Sequence, residues 1–135
     1  MIFTADQIVA HLVGDYLLQS HWMATRKREN SVAAAIHALC YTLPFLLITQ
    51  SPLALAIIAG THFIIDRLGL ARFVVWLKNR PLKMVRSDQG FLRLKPLTAT
   101  GYQDDVPVWL SVWLLIITDN TLHLICNGFA IWLAR

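Results

Sequence analysis

Apolar runs close to 20 residues long, the length a helix needs to cross about 30 Å of hydrocarbon, recur along this chain and constrain its fold more than any other feature. Four are readable, over residues 2–24, 32–49, 52–77 and 106–133. Composition agrees. The chain is 56% hydrophobic and 15% charged, whereas a soluble domain carries about a quarter charged residues. Disorder, a coiled coil, a disulfide scaffold and an ordinary cytosolic enzyme are excluded as first readings. The expected fold is all-α: one integral membrane domain, a bundle of four transmembrane helices around a polar His/Asp centre.

The breaks between runs carry turn and cap signals. Thr49-Gln50-Ser51-Pro52 separates the second and third spans, with Pro52 suited to a helix start. Asp104 and Asp105 precede Pro107 and are expected to cap the fourth. Positive charge sets the orientation. Arg26, Lys27 and Arg28 lie in loop 25–31, and Lys78, Arg80, Lys83, Arg86, Arg93 and Lys95 in loop 78–105, nine of twelve Lys and Arg in all. These loops fall on one side of a four-span chain. The positive-inside rule makes that side cytoplasmic and both termini external, in a cell's inner membrane. Trp22, Trp76 and Trp109 fall at the same boundary. Leu82, Met84, Val85, Phe91, Leu92 and Leu94 would lay the longer loop on the membrane surface. The topology rule accounts for the net charge of +4, so no nucleic-acid partner is expected. The first 25 residues lack the basic n-region of a cleavable signal peptide.

Ionisable residues inside hydrocarbon are costly, face a bundle interior and mark function by default. Here they come in pairs. His11 precedes Asp15 by four, His62 precedes Asp66 by four, and His123 follows Asp119 by four. Residues four apart share a helix face, about 40° from one another around the axis. Gln19 and Asn127 extend two of these ladders, and the second span adds His37 with Tyr41 one turn on. Counted inward at 1.5 Å per residue, Asp15, Asp66, Asp119 and His62 sit about 15–22 Å deep and His37 about 9 Å. One shared centre follows, drawing on His11, Asp15, His37, His62, Asp66, Asp119 and His123.

Imidazole with carboxylate is the ligand set of zinc, manganese or iron, and zinc is the first expectation. Two ions, or one whose imidazoles are oriented by outer carboxylates, would use so many groups. A metal-free network of hydrogen bonds is the alternative. Arg67 adjoins Asp66 and Arg72 lies farther toward the cytoplasm; either would neutralise the cluster or meet an anion, with snorkelling the alternative for Arg72. Cys40 and Cys126 each follow a histidine by three but read as packing residues. His21 reads as a surface residue, and Gly14, Gly60 and Gly69 as sites of close helix approach.

The stretch from His11 through Gly14-Asp15-Tyr16 to Gln19, then His37, His62 with Asp66, and Asp119-Asn120 with His123, resembles domain-of-unknown-function family 3307, small bacterial and phage membrane proteins. The resemblance covers most of the chain. H-x-x-G-D-[FY]-x-x-Q is its most specific part, and Asn120 stands where members usually carry Gln. It implies a multi-span inner-membrane protein and brings no established activity. A looser likeness to inner-membrane metal-dependent hydrolases is one of style only.

The leading expectation is a membrane-embedded metal-dependent hydrolase of a lipid or lipid-linked phosphoryl or acyl substrate. Asp15 or Asp66 would serve as general base, and Arg67 would stabilise developing charge. Its expected partners are membrane lipids, a lipid-like substrate and further copies of the chain. The rivals are a protein that conducts protons or divalent cations through the same ladders, and a non-enzymatic membrane interaction protein.

Overall fold

The computed structural model describes residues 2–79, 85–86, 92–93, 98–103 and 105–134. The helices begin and end where local chemistry dictates. Helix α1 (Ala5–Leu12) runs on as a five-residue π turn, Val13–Leu17. The chain then leaves the helix, and Ser20 starts α2 (His21–Arg26) by accepting the Met23 amide at 3.3 Å. Asn30 caps α3 (Ser31–Thr42), its Oδ1 taking the amides of Val32 and Ala33. Pro44 offers no amide to the α-ladder, and the helix tightens into a 3-10 stretch, Leu43–Leu47. Ser51 and Pro52 open α4 (Pro52–Leu68). Gly69 ends it in the left-handed conformation, at φ 60.

Helix α5 (Leu70–Lys78) follows, then the two-residue strands β1 (Val85–Arg86) and β2 (Leu92–Arg93), paired antiparallel, and finally α6 (Val108–Leu133). Among the described residues the protein is all-α apart from that short ribbon. The expected first and third spans are each interrupted, at Leu18–Ser20 and at Gly69. A polar, cap-forming Ser and a glycine at φ 60 override the apolar run around them. Among the described residues α6 alone is long and apolar enough to cross a membrane. Helices α4 and α5 together make a second if they form one broken span, and Ser31–Leu47 is a shorter apolar helix. Asp104 and the expected surface residues Leu82, Met84, Phe91 and Leu94 lie outside the described residues, as do the side chains of Val85 and Leu92.

The chain divides into two compact units, residues 70–119 and the remainder. In the smaller unit Lys78 lies over the Tyr102 ring, and Arg72 over that of Phe73. The larger unit holds α1 to α4 and the C-terminal half of α6, and its interior combines an apolar core of Ala10, Tyr41, Phe45, Ile58, Ala130 and Ile131 with a cluster of buried polar side chains. The residues turned inward include Gln7, His11 and Asp15 near α1, His37 and Tyr41 on α3, His62 and Asp66 on α4, and His123 and Asn127 on α6. Much of its outer surface is apolar. Leu39, Leu43 and Leu47 form an exposed stripe at helical spacing opposite buried His37, Tyr41 and Phe45. Gly14 permits closest packing: a Cβ there would lie 2.7 Å from Tyr41 Cδ2 and 2.9 Å from the Tyr41 carbonyl oxygen. Gly60 faces open space, and Gly69 caps a helix, so only the first of the three glycines serves close helix approach.

Candidate metal centre

Three helical segments supply four donors to a common point. Asp15 comes from the π turn, His37 from α3, and His62 and Asp66 from successive turns of α4. His37 Nε2 stands 3.2 Å from Asp15 Oδ1 and 3.1 Å from Asp66 Oδ2. His62 Nε2 stands 3.5 and 3.1 Å from the same two oxygens, and 2.9 Å from His37 Nε2. All four residues are buried.

These separations can be tested against a known shape. Ligands about 2.0–2.1 Å from a tetrahedral ion lie about 3.3–3.4 Å from one another. The five separations, 2.9 to 3.5 Å, bracket that edge. Proton counting points the same way. Two imidazole nitrogens 2.9 Å apart cannot both carry a proton between them, so at least one lone pair faces the two carboxylate oxygens. Clustered lone pairs in a buried site call for a cation, and donors at these separations can share one metal ion. The donor set therefore fits a divalent ion of the zinc, manganese or iron class.

A second layer orients the first. His11 Nδ1 lies 3.4 Å from Asp15 Oδ2, and His123 Nε2 lies 3.5 Å from Asp66 Oδ1, so each carboxylate meets a flanking imidazole with its other oxygen. Tyr41 stacks on the His62 ring with centroids 3.6 Å apart. Its hydroxyl accepts from Asn127 Nδ2 at 2.6 Å and lies 2.9 Å from His11 Nδ1. The Nδ1 atoms of His37 and His62 are buried and have no hydrogen-bond partner among the described residues; the Tyr41 ring stacked on His62 sets the plane of that imidazole.

Of the residues expected from sequence, Asp15, His37, His62 and Asp66 converge, with His11 and His123 behind the carboxylates. His37 meets the others because α4 ends at Leu68 and not near residue 77. His62 lies six residues from that end and Asp66 two, as His37 lies six from the start of α3, so the greater depth expected of His62 and Asp66 comes from counting through the break. Asp119 belongs to the smaller unit, half-buried on α6 one turn before His123. Arg67 is elsewhere: its Nε donates to Ser31 Oγ at 3.1 Å and its terminal nitrogens to the carbonyls of Arg28 and Glu29. That guanidinium ties the end of α4 to the start of α3. Residues adjacent on a helix point about 100° apart, which carries Arg67 away from the face of Asp66.

Lys27, which sequence reasoning assigned to the topology rule alone, reaches the centre. Its Nζ lies 2.8 Å from Asp66 Oδ2 and 3.4 Å from His37 Nε2. No spacing signal marks it, because it sits 39 residues before its partner.

The family model of a protein of unknown function, DUF3307, matches residues 2–89. No curated protein and no solved structure matches the chain. With well over half its length matched, the chain belongs to that family.

Proposed function

We propose that this DUF3307 protein is a multi-span inner-membrane protein that holds a divalent metal ion, zinc first, between Asp15, His37, His62 and Asp66, and that it hydrolyses a lipid or lipid-linked phosphoryl or acyl ester. The observation that carries the reading is the convergence of those four donors at tetrahedral separations. Membrane residence is supported by the larger unit's surface, where Leu39, Leu43, Leu47, Ile64 and Phe129 are exposed around a buried His/Asp cluster. Water would favour the reverse arrangement.

Bound there, a divalent ion would act as a Lewis acid on the scissile group and acidify a water. The chain's own residues do the rest. His37 and His62 hold their positions on adjacent helices, and His11 and His123 steady the carboxylates. Asp66 is the donor best placed to yield a position to substrate, because it already shares its Oδ2 with Lys27. Asp15, steadied by His11, would then be the ligand that stays. Apolar outer faces give a lipid-like substrate its approach through the bilayer.

One observation favours a second reading. Four protein donors complete a tetrahedral shell, and catalytic zinc sites usually keep one position open. A complete shell suits an ion that is carried or conducted, which on so few spans would need several copies of the chain.

Elemental analysis of protein purified in mild detergent, beside His62→Ala and Asp15→Ala, tests the metal. Stoichiometric ion lost in both folded variants supports it, and background metal in all three after each ion is added back overturns it. Hydrolysis of phospholipid and acyl-ester substrates, against metal flux into liposomes, then separates the two uses.

A further inference from the structure

Lys27 closes α2 in helical conformation, within an exposed link. Its neighbours turn outward: Arg26 pairs with Glu29 at 3.8 Å on the surface, with both side chains largely exposed. Lys27 alone of this basic run turns inward, and its side chain is only 18% exposed. Among the described residues its ammonium is the cation that reaches the four donors.

It reaches them at the oxygen an ion would use. Nζ lies 2.8 Å from Asp66 Oδ2, and an ion would take that oxygen at about 2.1 Å. The two cations would then stand no more than about 4.9 Å apart, sharing one oxygen in a site of low dielectric. The 3.4 Å approach of Nζ to His37 Nε2 tightens the conflict, since that nitrogen is also a donor. An ammonium on a flexible four-carbon stem can withdraw to the exposed link from which it comes.

We propose that Lys27 is a tethered counter-cation: it neutralises the metal-free centre and is displaced when a divalent ion binds, so that it sets how tightly the site holds metal. This rests on the metal reading above. A protein so built keeps its buried carboxylates paired in either state and releases its ion more readily than the donor set alone would.

The test is competition titration of stripped protein with Zn²⁺ and Co²⁺ against a chromogenic chelator, for wild type, Lys27→Met, Lys27→Arg and His62→Ala. Lys27→Met is expected to bind roughly tenfold tighter or more, with Lys27→Arg near wild type. Zinc should also raise the Tm of Lys27→Met more than that of wild type, because tighter ligand binding adds more stability at equal metal. Equal or weaker binding by Lys27→Met overturns this inference and leaves the metal centre standing, since wild type still binds and His62→Ala does not. Absence of saturable binding in wild type and Lys27→Met alike overturns the metal reading and this inference with it. If Lys27→Met does not fold, Lys27→Gln makes the same comparison.

Discussion

Asp66 carries more of the centre than any other side chain. One oxygen meets His37, His62 and Lys27, and the other meets His123. Asp66→Asn keeps the shape and removes the charge on which a bound ion depends. It is expected to weaken metal binding by more than about 100-fold, since loss of an outer partner alone costs 10–100-fold. Chelator competition checks this, and affinity within tenfold of wild type would remove Asp66 from the ligand set. Tyr41 separates packing from hydrogen bonding. Tyr41→Phe keeps the ring stacked on His62 but strands the Asn127 amide, at a cost of about 1–3 kcal/mol for a buried donor left unpaired. Metal affinity should fall by about tenfold, as for an outer-shell loss. Denaturation in detergent measures the first effect, and unchanged stability would mean that the hydroxyl link contributes nothing. The His–Asp pairs are legible in sequence because helical period alone puts residues four apart on one face. Lys27 is not, because its partner lies on another helix. Arg67 misleads because chain adjacency resembles proximity.

Helix ends, rather than helix middles, separate the observed elements from those expected. The apolar runs conceal Ser20 as a cap, Pro44 as the cause of a 3-10 stretch and Gly69 as a left-handed stop. Each signal is local and visible, but each is outweighed by hydropathy when the eye looks for 20-residue spans. Three glycines report on how these helices pack and end. Gly14→Ala would force a methyl against the Cα and carbonyl of Tyr41, at 3.0 and 2.9 Å, and backbone cannot retreat as a side-chain tip can. A loss of about 1–3 kcal/mol is expected, together with weaker metal binding, because the π turn that presents Asp15 would move. Gly69→Ala should cost about 1–2 kcal/mol through its left-handed backbone and leave metal binding intact. Gly60→Ala meets nothing within 4 Å and should be neutral or stabilising by up to about 1 kcal/mol. Thermal unfolding of the three variants side by side checks the order, and equal effects would mean that the close approach at Gly14 is not what holds the turn.

For the whole molecule the question is which segments cross the bilayer, and lengths narrow the answer. Twelve α-helical residues of α3 at 1.5 Å and five 3-10 residues at about 2.0 Å give about 28 Å. The 3-10 stretch therefore lets a 17-residue segment approach the hydrocarbon thickness that hydropathy and residue count alone would deny it. Helix α4, with 17 residues, spans about 26 Å. The turn between them holds Gln50, exposed and uncharged, while Arg26, Lys27 and Arg28 lie at the end of α2 and in the link before the other end of α3. If α3 and α4 cross as proposed, the positive-inside rule puts those two ends on opposite sides, with the basic end cytoplasmic. The half-buried Cys40 and Cys126 are first replaced by Ser, and single cysteines are then placed at Glu29 and Gln50, both exposed. A membrane-impermeant maleimide added to intact cells should label Gln50→Cys and spare Glu29→Cys. Inverted vesicles should reverse the pattern. Labelling of both positions from one side would mean that the α3–α4 hairpin lies on the membrane rather than across it. The case for a substrate drawn from within the bilayer would then fall with the hairpin.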